Sequence, residues 1–344
     1  MGNKIITIGG AIRDVFCVTD MAKMIIDEEN ISCGKMLAFE LGSKIYINKF
    51  LNTMGGSACN VSIGLKKMGV NAFPYVEVGD DDAGEIIKEE LKRNKVPVKL
   101  VHIDRKKQTG FSFFIVDSSS REHVVFVGKA ASEDINIDIK EISKMKPEWL
   151  YVGSLGKCPE DEFLKIRAIK KNTDVKIAIN PGIDQIERKN KELLKVVKLS
   201  DVLILNRDEA ISMATHGSDG INKNIPEYGL SQIRFLFDES KKWGADIVVI
   251  ADGEDGVYLK DWHTNKMYFC EAYPAKKLVD TTGAGDAFAS GFMASFIQGE
   301  TIERCLRLGA VNGSSVVQFL GAQEGLLTIQ EAEKKIKKIK VKMI

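Results

Sequence analysis

The stretch "VDTTGAGDAFASGFMASFIQ", Val279 to Gln298, sets hydroxylated residues and two glycines ahead of a lone aspartate, Asp286, and an apolar helical pattern starts directly behind it. Gly283, Ala284 and Gly285 carry almost no side chain, so their N–H groups can approach a ligand closely. The helix expected over about 285–298, ending before Gly299, aims the positive end of its dipole at the same point. Such a turn suits an anion. An acid at a helix start is also a common stabilising device. Beside an anion-holding turn, however, Asp286 can take a proton from an attacking hydroxyl while the N–H groups neutralise charge on a transferring phosphoryl group.

A motif of this kind needs a scaffold that lines up helix N-termini along one edge. The chain supplies strand-like runs between helical patterns: "KIITIG" (4–9), "WLYVG" (149–153), "VKIAIN" (175–180), "DVLILN" (201–206) and "DIVVIADG" (246–253). Their alternation predicts an α/β fold, a doubly wound, mostly parallel sheet flanked by helices. Ligands of such folds bind past the carboxyl ends of the strands, here at Gly9, Gly10, Asn180, Asn206 and Gly253. Two regions break the alternation, about 13–50 and about 108–128, the second carrying alternating apolar residues around a "DSSS" turn. They are expected to meet as a small β-sheet lid on a single domain spanning 1–344, where closure would exclude water.

Composition bounds the function. With 49 Lys and Arg against 48 Asp and Glu, the chain of 344 residues has a net charge of +1, which argues against a nucleic-acid or membrane partner and for small-molecule chemistry. No long apolar run exists and the N-terminus enters a strand pattern at once, so a cytoplasmic protein is expected. Ile6 stands where a myristoylation signal wants a hydroxyl. Six cysteines without a CxxC spacing and four dispersed histidines favour reduced thiols over a disulfide frame or zinc site. The C-terminal "TIQEAEKKIKKIKVKMI" is expected to be helical, opened by a Thr328/Glu331 capping box.

A second glycine cluster, "MGGSACNVSIGLKKMGV" (54–70), places Gly55 and Gly56 before another helix, with the Asn60 amide able to donate to and accept from a polyhydroxylated ligand. A tight turn with a solvent-facing asparagine would read the same way. The acids of "GDDDAGE" (79–85) read as a helix cap rather than a metal site, and "GSLGK" (153–157) has the wrong spacing for a phosphate loop. Phe111 and Phe113 on the expected lid either stack on a base or pack within the lid.

Together "GGSACNVSIGLKKMG" with Gly79, and "DTTGAGDAFASGFM" (280–293), resemble the two signature motifs of the ribokinase-like, or PfkB, carbohydrate kinases. The resemblance continues through "GGAIRD" near the start, "NRDE" (206–209), "ADGEDGV" (251–257) and "GAQEG" (321–325), and so covers essentially the whole chain. It implies an ATP-dependent phosphotransferase acting on an alcohol of a sugar or a nucleoside. Asp286 would be the general base and Gly283, Ala284 and Gly285 the anion hole. Asp14, Gly55, Gly56 and Asn60 would bind substrate hydroxyls; Asn206, Gly253 and Gly256 would approach the nucleotide. Glu209, with Asn206, would position Mg2+ through water, and Asp280 and Thr282 match a loop that in many members holds K+. The pattern prefers threonine where Ala251 stands and often serine where Gly325 stands. Exposed lid edges suggest a homodimer through the lid. Two rivals are a nucleotide-binding regulator without catalysis, and a nicotinamide oxidoreductase, which would want a GxGxxG after the first strand.

Overall fold

The computed structural model describes residues 4–26, 35–120, 122–156, 160–188, 190–216 and 225–344. Cys33, Cys158 and Lys157, and part of the expected 13–50 lid segment, lie outside the described residues. In chain order, β1 (Lys4–Ile8) opens the main sheet, and β2 (Ile12–Thr19), β3 (Lys23–Ile26), β4 (Lys35–Ala38) and β5 (Lys49–Gly55) leave it. β6 (Asn71–Gly79) and β7 (Val101–Asp104) return, and β8 (Gly110–Asp117) and β9 (His123–Gly128) leave again. The rest of the main sheet is β10 (Trp149–Val152), β11 (Lys176–Ile179), β12 (Val202–Asn206), β13 (Ile247–Ala251), β14 (Val257–Asp261), β15 (Lys266–Cys270) and β16 (Val341–Met343).

The main sheet runs β16-β15-β14-β13-β12-β11-β10-β1-β6-β7. Pairing is parallel from β7 to β13 and antiparallel through β14, β15 and β16. Parallel strands covered by helices on both faces must be apolar on both sides. Ile6 and Ile8 accordingly pack with Leu150, Val152 and Ile177 on one face, while Ile5 packs with Tyr151, Ala178 and Val202 on the other. Each isoleucine buried in this way contributes roughly 1.5–3 kcal/mol.

The two segments that break the α/β alternation do meet. They form a four-stranded sheet in the order β5-β2-β8-β9, with β3 and β4 as a separate hairpin. β2 pairs antiparallel with β5 but parallel with β8, a pairing that hairpin logic does not reveal. The first contribution also runs past residue 50, to Gly55. Asp117 closes the β8–β9 turn by accepting from the Ser120 amide at 2.7 Å. One face of this sheet carries Asp14, Phe16, Ser112 and Phe114, all buried, with the two rings stacked at 4.2 Å. The other face leaves Phe50, Phe111 and Phe126 at least half exposed.

The acidic run at 79–85 is a cap. Asp81 accepts from the Gly84 amide at 2.9 Å at the start of the helix Asp82–Arg93. The C-terminal expectation needs correction. Thr328 and Glu331 do form the capping box, but the helix stops at Ile336 and the chain ends as β16 along β15. Ile339, beyond the end of that helix, is buried in the core, and this anchors the turn from helix to edge strand.

Candidate active site

The glycine turn and the helix behind it are built as the sequence suggests. Gly283, at φ 75, caps the helix Ala284–Phe296 in the left-handed region; a Cβ there would lie 2.4 Å from the Ala322 methyl. The first i→i−4 bond runs from the Ala287 amide to the Gly283 carbonyl, so the N–H groups of Gly285 and Asp286 precede the hydrogen-bonded helix. The Ala284 N–H is instead bonded to the Thr281 carbonyl at 3.1 Å. A Cβ on Gly285 would meet nothing within 4 Å. The turn therefore opens onto free space at Gly285 and is packed shut at Gly283.

Asp286 is not a helix cap. Its Oδ2 accepts from Asn60 Nδ2 at 2.9 Å, 226 residues away in sequence, and the helix has no side-chain cap bond. Asn60 is oriented in turn by Gln323, whose Nε2 donates to Asn60 Oδ1 and to the Met54 carbonyl, both at 2.9 Å. A donor facing Oδ1 settles which end of the Asn60 amide turns to Asp286. Burial pushes the Asp286 carboxyl up to about 6, against the pull of the Asn60 amide. Asp286 thus titrates within the range where a general base works best.

Asp14, on β2, is 3% exposed. Burial raises its carboxyl to about 7, the Ser112 hydroxyl opposes this, and the charges of Asp280 and Asp286 add to it. Its Oδ1 is buried without a partner, as are the hydroxyls of Thr53 and Ser57. Thr53 lies opposite Asp14 in the β2–β5 register. A Cβ on Gly55 would sit 2.0 Å from Asp14 Oδ2, and one on Gly56, at φ 97, would sit 2.3 Å from the Gly10 carbonyl oxygen. Ser57 is hemmed in by Gly9 and Gly153, where a Cβ would come within 2.7 and 2.3 Å of its hydroxyl. Gly55 and Gly56 of the second glycine cluster are thus demanded by close packing. Buried polar atoms nearly always have partners, and the orphaned atoms of Asp14 and Thr53, opposite one another in register, fit the hydroxyls of a polyhydroxylated ligand.

Asn206 and Glu209 hold one another. Glu209 Oε2 accepts from the Asn206 amide and Asn206 Oδ1 from the Glu209 amide, both at 2.8 Å. This is capping-box geometry, so the motif has a structural role besides any role toward a metal. Burial raises the Glu209 carboxyl to about 7, and the charges of Asp286 and Asp208 reinforce the shift. Asp280 staples its loop: Oδ1 accepts from the Thr282 amide and hydroxyl at 3.0 and 2.7 Å, and Oδ2 from the Gly321 amide at 2.9 Å. Near Asp286, the Cys59 thiol is fully buried and pushed up to about 12, mainly by burial, so it is no nucleophile at neutral pH.

Beyond the ends of β12 and β13 opens a cleft of about 680 Å³, lined in part by Asn206, Ala251 and Gly253. Gly253, at φ 58, faces open space, whereas Gly256, at φ 104, is packed with its Cβ position 2.4 Å from the Cys270 carbonyl oxygen. Gly256 shapes the turn and Gly253 lines the cleft. Phe111 and Phe113 lie on the lid face opposite Asp14, because Asp14 pairs in register with Ser112 and faces it and side chains alternate along a strand. A base held beside Asp14 would not meet them from that face. Sequence reading missed Thr53, Ser57 and Gln323. Ser57 lies inside the quoted glycine cluster and Gln323 inside "GAQEG", but only tertiary contacts reveal what either touches.

Residues 14–329 match the model of the pfkB family carbohydrate kinases, and the chain belongs to that family. It is an ATP-dependent kinase of sugars or nucleosides. It is similar to the nucleoside kinase of Methanocaldococcus jannaschii, 24% identical over 88% of this chain and 91% of that protein. It is also similar to the 5-dehydro-2-deoxygluconokinase of Bacillus subtilis, 27% identical over 83% and 87%. In fold it is similar to the ribokinase of Arabidopsis thaliana complexed with ribose and ATP, with a TM-score of 0.79, 20% identity and coverage of 98% and 99%. Among the described residues no helix is long and apolar enough to cross a membrane.

Proposed function

We propose that this kinase phosphorylates an alcohol group of a neutral, ribose-like sugar, with Asp286 as base and the N–H groups of Gly285 and Asp286 facing the transferring phosphoryl group. The observation that carries the reading is the pair of orphaned polar atoms on Asp14 and Thr53, opposite one another in register, with Asp14 close enough to Asp286 to feel its charge. Hydroxyls of a sugar would satisfy both. The Asp286 carboxylate takes the acceptor proton while Asn60 and Gln323 hold its orientation, and Asp14 and Asn60 fix the acceptor in line. The lid sheet, carrying Asp14 on its buried face, would keep water from competing.

The residues fit Mg-ATP. The cleft at Asn206 and Gly253 has room for a nucleotide, and Asp286 and Glu209 are both raised by burial, Glu209 also by the charge of Asp286, a cost that a divalent cation near them would relieve. When bound, Mg-ATP supplies the phosphoryl group and the charge that offsets these carboxylates. Asp280 and Thr282 are already engaged with each other and with Gly321, so their side chains serve the loop first. K+ there would lean on backbone carbonyls.

The test is phosphoryl transfer from Mg-ATP across free pentoses, hexoses, sugar acids and nucleosides, with and without K+. Turnover on a neutral free sugar is expected. Turnover confined to nucleosides would replace the sugar reading by the nucleoside one, and ATP binding without turnover on any acceptor would favour a regulator. A nucleoside relative keeps that arm in the panel, although the lid phenylalanines give it no support.

The exposed outer lid face, with Phe50, Phe111 and Phe126, fits a homodimer through the lid. Sedimentation should show a dimer that Phe126→Glu converts to monomer. A wild-type chain that stays monomeric would exclude this assembly.

A further inference from the structure

The cleft at Asn206 and Gly253 has a charge imbalance. Of the described residues lining it, Asp208, Asp252, Glu254 and Asp255 are acidic and Arg207 alone is basic. A polyphosphate entering there is repelled unless that cation turns toward it. Arg207 directly follows Asn206 and opens the helix Arg207–His216. Its guanidinium carbon lies 4.3 Å from the centre of the Tyr228 ring, and Tyr228 in turn donates its hydroxyl to Asp255. Nη1 is 3.4 Å from Asp252 Oδ1, longer than a well-made charge-assisted bond of about 2.8 Å. Nε is buried and has no partner. The guanidinium is therefore held flat by stacking and only loosely paired at Nη1, with the side chain 30% exposed, so its Nη edge can leave Asp252 for a phosphate.

We propose that Arg207 is the phosphate-binding residue of this cleft, and that Asp252 holds its place until a nucleotide phosphate displaces it. The inference rests on the reading of the cleft as the nucleotide site. The competing role is a structural clip, in which Arg207 and Asp252 only tie the helix start to the turn after β13. The two roles differ in sign. If Arg207 meets phosphate, removing it weakens nucleotide binding, while removing Asp252 frees the cation and takes away a repelling charge. If the pair is a clip, both losses act alike.

Calorimetric titration of the full chain with Mg-ADP, and with adenosine as the phosphate-free control, separates them. Arg207→Gln should weaken ADP binding by roughly tenfold and Asp252→Asn should tighten it by about twofold or more, with adenosine binding the same in all three proteins. Equal affinities, or weakening by both variants, would overturn the role of Arg207 while leaving the nucleotide site in place. Absence of ADP binding by the wild type would overturn the nucleotide reading itself. Should Arg207→Gln not fold by circular dichroism, the sign for Asp252→Asn decides: tighter binding supports the proposal, and unchanged or weaker binding removes it.

Discussion

Asp286→Asn is expected to lower kcat by roughly 10³-fold, because it removes the proton acceptor beside the anion turn while preserving the side chain's shape. The Asn60 amide can still donate to the new side-chain oxygen, so the 2.9 Å contact and the fold should survive. Single-turnover phosphoryl transfer is the measurement, and wild-type rates in the variant would remove Asp286 as base. The wild type adds a pH test. With its carboxyl at about 6, Asp286 is protonated and idle below that value, so kcat/KM should fall as pH drops through it. Stability runs in the opposite direction. A carboxyl whose folded-state pKa is raised binds its proton more tightly in the folded chain than in the unfolded one, so its ionisation costs stability as pH rises through the folded value. Asp14 and Glu209, each at about 7, act in the same sense. Asp286→Asn should therefore raise the melting temperature at about pH 8 and leave it nearly unchanged at about pH 3, below the unfolded-state value, where the group is protonated in both states. An equal change at both pH values would count against a buried charge as the cause.

Gly285→Val should lower kcat by roughly 10²-fold with little effect on the melting temperature, a loss comparable to that of one oxyanion donor. No atom lies within 4 Å of a Cβ at this position, so the folded chain can accept the side chain, which then fills the space over the exposed N–H groups. Gly283 is the contrasting site. There a Cβ would collide with Ala322 and the backbone is left-handed, so Gly283→Ala should destabilise as well as inactivate. Measuring activity and thermal stability on both variants separates the two roles. Full activity in Gly285→Val would mean that the phosphoryl group does not pass this turn.

Asp286 and its turn, the Gly55-Gly56 cluster, and the Asn206/Glu209 motif could be read from the chain because each is a local backbone device. A left-handed cap, a close approach and a capping box leave glycines and short polar residues at fixed spacings. The apolar strands were legible for the same reason, since burial on both faces requires continuous β-branched runs. The parallel β2–β8 pair, the final edge strand and the facing of Phe111 were not legible. Register and strand order depend on which distant surfaces compete for burial, and neighbours in sequence carry no record of that.

Taken alone, the sequence determined that a glycine turn with a carboxylate sits at a helix start in an α/β sheet, because those demands are met within a few consecutive residues. Only the tertiary structure decided that Asp286 answers to Asn60 and Gln323 and not to its own helix. It also decided that Asp14 and Thr53 face one another with unsatisfied oxygens and that, among the described residues, a single arginine faces four acids in the cleft beyond β12 and β13. Desolvation and charge proximity are properties of the assembled interior, created when segments hundreds of residues apart exclude water together.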